Sequence, residues 1–251
     1  MISIRESLQN HFRERSEKLC VEDIRIGLGY TAIKLQNQQI GLANTFVEQA
    51  PQGCSKFNGK LCLRNPPAWE ILQYLNYSDP ISSALGLAAC NALIHVEKES
   101  LRCGDIVEDL SLYPSDKLAM VGNFAPILSK LKQKAGRVYV FERISREERG
   151  LIPIEQGREI IPHCDVAFIT STSIINKTID ELLKLTQNCR DVVLLGASTP
   201  LAPQVFQNTP VTQLSGILVP DPEKILKIVS CGGGMQVFKN LIQKVNISVG
   251  V

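Results

Sequence analysis

From residue 117 onward, short apolar runs and helical segments take turns along the chain. The runs are Lys117–Val121, Arg137–Phe141, Val166–Thr170, Val192–Leu195 and Gly216–Val219. Between them, Ile127, Leu128 and Leu131 share one helical face, as do Ile179, Leu182 and Leu183. Strands that alternate with helices pair in parallel, because each helix carries the chain back across the sheet. The pattern therefore predicts an α/β unit with a mainly parallel sheet and helices on both faces. Five strands in about a hundred residues is the size of a Rossmann-like, nucleotide-binding-type domain.

Residues 1–97 carry a different pattern. Ile4, Leu8, Phe12 and Leu19 lie near one face of a helix over 2–19. Ile24, Ile26, Leu28 and Tyr30 alternate as in a strand, and Ile33 and Leu35 continue in the other phase. The phase change beside Gly29 predicts a bulge. Gln36–Gln38 reads as a turn and Gln39–Val47 as the returning strand. Ala50–Pro67 reads as irregular, and Ala68–Leu75 as a short helix. Asp79 is placed to cap a helix with Pro80 at its first position. That helix presents Ala84, Ala88, Ala89 and Ala92, small residues that invite close packing. A small α+β domain over 1–97 and an α/β domain over 98–251 follow, with 97–116 as the linker.

Charge narrows the partners. Lys plus Arg is 27 and Asp plus Glu is 25. Residues 1–97 hold nine of each sign, so neither part is a polycation and nucleic-acid binding is not expected. The uncharged run Pro80–Val96 contains Ser82, Ser83, Asn91 and His95 and is too short and polar to span a membrane. The first residues lack a signal-peptide pattern, so a cytoplasmic location is expected. The partners expected are a small molecule or metal, with a homo-oligomer open.

Eight cysteines, at 20, 54, 62, 90, 103, 164, 189 and 231, include no Cys-x-x-Cys pair. With three histidines, at 11, 95 and 163, no compact zinc spacing arises. Free, mostly buried thiols are expected.

In a parallel sheet, ligands bind beyond the carboxyl ends of the strands. The segments there are Gly122-Asn-Phe-Ala-Pro126, Glu142-Arg143, Thr170–Thr178, Gly196-Ala-Ser-Thr-Pro200 and Pro220-Asp221. Their amides, hydroxyls and helix-start N–H groups suit an anion or a polar small molecule. Asn123, Phe124, Ser171, Thr172, Asn176, Thr178, Ser198 and Thr199 are the ligand-binding candidates, joined by Asn44 and Thr45 from the first unit. Glu142 and Asp221 are the candidate bases or hydroxyl holders. Glu142 lies 20 residues after Gly122, the spacing of the acid that holds a ribose in dinucleotide sites, but Gly-x-Gly-x-x-Gly is absent. Ser198 and Thr199 before Pro200 also suit a helix cap. Cys231-Gly-Gly-Gly234 reads either as a helix cap after Pro222–Ser230 or as a loop closing on a ligand. In the second case Gly233 approaches the ligand and Cys231 is a soft metal donor. His163 and Cys164 precede a strand and fall at the opposite sheet edge. Gly27, Gly29 and Gly41 point to a close approach by a helix or a ligand.

Five segments taken in order, Ile26-Gly-Leu-Gly-Tyr-Thr-Ala32, Gly86-Leu-Ala-Ala-Cys-Asn-Ala92, Val121-Gly-Asn-Phe-Ala-Pro126, Asn176-Lys-Thr178 and Gly196-Ala-Ser-Thr-Pro200, resemble a prokaryotic family of unknown function labelled with heavy-metal chelation. The resemblance runs along nearly the whole chain. It implies an enolase N-terminal-like domain, a Rossmann-like domain and an active site in the cleft between them.

Three functions remain open at this point. The cleft holds a transition metal or a metal-chelating small molecule, or it serves an enzyme of nucleotides or anionic metabolites without metal, or it is a non-catalytic sensor of the same ligand. The candidate donors are poor in thiolate and imidazole, which favours a weakly held metal or one carried by an organic chelator.

Overall fold

The computed structural model describes residues 2–49, 57, 65–146 and 149–250. Cys54, Cys62 and most of the irregular stretch 50–67 lie outside the described residues.

The chain opens with helix α1 (Ile4–Lys18), started by a capping box between Ser3 and Glu6. Strands β1 (Val21–Ile26), β2 (Tyr30–Leu35) and β3 (Ile40–Asn44) form an antiparallel sheet in that order. The phase change near Gly29 is a full chain reversal rather than a bulge. Gly27 N–H donates to the Tyr30 carbonyl at 2.9 Å, and β1 and β2 pair as a hairpin. The register slips instead between Val21 and Asp23. Helices α2 (Ala68–Leu72) and α3 (Pro80–Leu93) follow, and Asp79 caps α3 through Ser82 N–H with Pro80 in its first turn.

The small sheet is buried on both faces, which is why β2 does not alternate. Ile33, Leu35 and Ala43 pack with α1 and α3, while Ala32 and Leu42 pack with Ile225, Val229 and Phe238 from the far end of the chain. Glycine makes the α3 contact feasible. A Cβ on Gly41 would lie 2.1 Å from the Ala88 carbonyl oxygen and 2.2 Å from Ala92 N.

The larger sheet has eight strands. β4 (Arg102–Cys103) and helix α4 (Ile106–Asp109) lie in the stretch expected as linker, and Ile106 and Val107 are buried in a core cluster. Next come β5 (Lys117–Val121), α5 (Ala125–Lys134), β6 (Arg137–Glu142), β7 (Leu151–Pro153), α6 (Gly157–Ile160) and β8 (Val166–Thr170). Then follow α7 (Thr172–Ile175), α8 (Ile179–Leu185), β9 (Asp191–Leu195), α9 (Pro203–Phe206) and β10 (Gln213–Leu218). Helices α10 (Pro222–Ser230) and α11 (Met235–Phe238) and strand β11 (Gln243–Ser248) complete the chain. All five expected strands are present, and β4, β7 and β11 are additional.

The sheet order is β4-β11-β10-β9-β8-β5-β6-β7. The six strands from β10 to β7 pair in parallel, and β11 and β4 add antiparallel at one edge. Chain order within the parallel part starts at β5, runs outward through β6 and β7, then returns to the other side of β5 through β8, β9 and β10. That is the doubly wound order, with its switch point between β5 and β8.

Candidate functional site

The crevice expected at such a switch point is present. A cavity of about 1150 Å³ lies along the carboxyl edge of the large sheet and is closed on one side by Tyr30, Asn44 and Phe46 of the small-sheet unit. Two glycine turns form its floor. Gly122 ends β5 with φ +93° and Gly196 ends β9 with φ +121°, backbone states that L side chains rarely adopt. A Cβ on Gly122 would sit 3.1 Å from the Thr170 side chain, so β5 and β8 meet closely at the switch point. The Phe124 ring covers both turns, 3.4 Å from the Cβ position of Gly122 and 3.8 Å from that of Gly196.

Glu142 stands at the end of β6, beside the end of β5. Its Oε2 accepts the Asn123 N–H at 3.1 Å and its Oε1 accepts the Arg143 N–H at 3.0 Å. Two backbone donors fix the carboxylate, and each oxygen keeps the capacity to accept a further hydrogen bond.

The other candidates divide into two groups. Asn44, Asn123, Phe124, Thr172, Asn176, Thr178 and Ser198 line the cavity. Asn176 Oδ1 accepts both the N–H and the hydroxyl of Thr178, holding the loop between α7 and α8. Phe46, at φ +51°, is held by Asn44 Oδ1, an aromatic residue in a backbone region it seldom occupies. Ser198 joins the two units: its Oγ accepts Asn44 N–H at 3.0 Å, and its carbonyl accepts Asn91 Nδ2 at 3.2 Å.

Thr45, Ser171 and Thr199 are buried and spent on structure. Thr45 Oγ1 lies 3.1 Å from Thr31 Oγ1, Ser171 Oγ lies 2.6 Å from Thr199 Oγ1, and Thr199 Oγ1 donates to the Ser215 carbonyl at 2.8 Å. Pro200 does not open a helix; residues 196–202 form a loop and α9 starts at Pro203. Asp221 lies outside the cavity lining. It caps α10 through Lys224 N–H, and the Lys224 ammonium holds its carboxyl below the usual range.

Cys231 and Gly233 also lie outside the lining. They complete a Schellman cap on α10: Gly232 N–H donates to Val229 and Gly233 N–H to Ile228, with Gly232 at φ +75°. Cys231 is exposed. The glycines of the first strands answer to helices as well, since a Cβ on Gly27 would lie 2.3 Å from the Val229 carbonyl oxygen of α10.

Ser173 was not among the candidates. It is 1% exposed, lines the cavity, and its Oγ has no hydrogen-bond partner. It ends the hydroxyl run Thr170–Ser173, whose excess of hydroxyls over the needs of one helix cap is the signal in the sequence. Tyr30 and Phe46 were also missed, and burial raises the Tyr30 phenol pKa.

A resident heavy metal is not matched by these residues. Among the described residues, the lining contributes no thiol and no imidazole. Among the described residues, no group of three or more His, Cys, Asp or Glu converges on one point. Of the lining carboxylates, Asp105 is paired with Lys130 and Glu181 with Arg158. A soft metal held by protein alone requires several converging thiolates or imidazoles.

The profile of the DUF364 family, described as "Putative heavy-metal chelation", matches residues 105–248, more than half of the chain. The chain belongs to the DUF364 family. A second profile with the same description, DUF4213, matches residues 9–94. An uncharacterised protein of Methanocaldococcus jannaschii is 26% identical over 98% of this chain and 96% of its own. A DUF364 protein of unknown function from Pyrococcus horikoshii superposes with a TM-score of 0.87 at 24% identity, covering 98% of this chain and 100% of that one. Another, from Desulfitobacterium hafniense, gives 0.76 at 23% identity, covering 97% and 98%. These two solved structures share the fold. No helix among the described residues is long and apolar enough to cross a membrane.

Proposed function

We propose that the cleft between the two units, divided at residues 97 and 98, binds a polar organic small molecule, and that a metal reaches it only as cargo chelated by that molecule. The carrying observation is the 1150 Å³ cavity at the switch point, which joins one fixed carboxylate to a set of amides and hydroxyls. That volume lies just above the roughly 300–1,000 Å³ of ordinary small-molecule sites and is far larger than a bare ion needs. Glu142, Asn123, Asn176, Thr172, Thr178 and Ser173 supply the polar contacts, Asn44 closes the cleft from the small sheet, and Phe124 and Phe46 supply apolar walls. The family description of heavy-metal chelation is met by the ligand's donors in this reading, and Cys231 takes no part.

The test is thermal stabilisation of the full chain by hydroxy acids, nucleosides and metal–citrate complexes, set against bare nickel, zinc and cadmium salts. An organic molecule should raise Tm, and the rise should shrink in Asn176→Ala. Stabilisation by bare metal alone, unchanged in Asn176→Ala, would overturn the reading.

A further inference from the structure

We infer that the organic ligand carries a nucleoside, with its ribose diol on Glu142 and no pyrophosphate bridge. The inference rests on the reading of the cleft given above and names the chemical class of its ligand.

Three observations carry it. The first is the position of Glu142, at the carboxyl end of the strand next to the first strand of a doubly wound sheet, with its carboxylate oriented by two backbone N–H groups. Each oxygen retains a lone pair, and two neighbouring acceptors match the two hydroxyls of a vicinal diol. The second is the apolar part of the lining. Glu142 is in register with Pro153, and Ile154, Phe141, Ile144, Leu182 and Leu185 line the same cavity. A flat base buries well against such a wall. The third is Ser173, a residue of the lining whose buried Oγ has no hydrogen-bond partner. A buried hydroxyl without a partner is costly, and a polar atom of the ligand would satisfy it.

Phe124 excludes the dinucleotide version of this site. In a dinucleotide fold, the glycines after the first strand let pyrophosphate approach the backbone. Here the Phe124 ring occupies that approach over Gly122 and Gly196.

The experiment is isothermal titration of the full chain with adenosine, guanosine, cytidine and uridine, with the 2′-deoxy form of whichever binds best, and with NAD. At least one ribonucleoside should bind. Its 2′-deoxy form should bind about tenfold more weakly or worse, because a carboxylate oxygen loses its donor. Glu142→Gln should narrow that gap, and NAD should bind no tighter than adenosine. Equal binding of ribo and deoxy forms to the natural chain would overturn the proposal whatever the variant does. So would NAD binding tenfold tighter than adenosine, or no binding by any of the four nucleosides. If another polar molecule still stabilises the chain and loses that effect in Asn176→Ala, the nucleoside inference falls and the organic-ligand reading stands. If neither nucleosides nor other organic molecules bind, both fall.

Discussion

Glu142 Oε2 and the Asn123 N–H meet at 3.1 Å, tying the end of β6 to the loop that leads from β5 into α5. The bond makes Glu142 both a wall of the cavity and a brace for the loop that carries Phe124. Glu142→Ala should therefore separate two effects. Denaturant unfolding should show a loss of about 1 kcal/mol from two backbone N–H groups losing a half-exposed acceptor. Ligand-induced stabilisation should vanish. A variant with full ligand response would remove Glu142 from the site.

Ser198 links the small sheet to the large one. Ser198→Ala removes the acceptor of Asn44 N–H while leaving the carbonyl bond to Asn91 intact. Urea unfolding should report a loss of about 1–2 kcal/mol, with hydrogen exchange at Asn44 accelerated more than at Leu42. Equal acceleration at both amides would mean that Ser198 does not act on Asn44 in particular.

Gly41→Ala drives a methyl group into the backbone of α3, 2.1 Å from the Ala88 oxygen. Backbone cannot turn aside as a side chain can, so the cost should be about 3 kcal/mol or more. Circular dichroism melts should show a strongly lowered Tm or no folded protein. A near-natural Tm would contradict the packing of α3 on β3.

Acid stability should depend on Asp116. Burial alone would raise its pKa, but hydrogen bonds from Arg190 and from Tyr113 N–H outweigh burial and hold it below the usual value. Because the folded pKa is the lower one, the ionised form stabilises the fold above the unfolded pKa of about 3.9. That contribution drains away as pH falls through the folded value. Asp116→Asn should lower Tm at pH 7 and flatten the decline below pH of about 4. An unchanged acid limb would assign the decline to other carboxylates.

Much of this architecture is legible in the sequence because burial leaves a simple record. Val166–Thr170 and Lys117–Val121 are central strands, covered on both faces, and read as continuous apolar runs. Leu151–Pro153 leaves no such record, since three residues ending in proline cannot be told from a loop. The β1–β2 reversal looks like a bulge because β2 is buried on both faces and its apolar phase carries no information about direction. In the site, hydroxyls at 171 and 199 and at 173 are alike in sequence. Only the fold shows that Ser171 and Thr199 satisfy each other while the buried Ser173 hydroxyl has no partner. The Cys231 glycine cluster is resolved the same way, by the cap bonds of α10.

The central claim is that the cleft takes an organic molecule and that its described residues do not themselves hold a heavy metal. Equilibrium dialysis of the anaerobically purified full chain against bare nickel, zinc or cadmium, read by elemental mass spectrometry, tests it most directly. The account predicts retention far below one equivalent per chain, equal in the natural protein, Cys231→Ala and Glu142→Ala. A full equivalent of metal, lost in either variant, would contradict it.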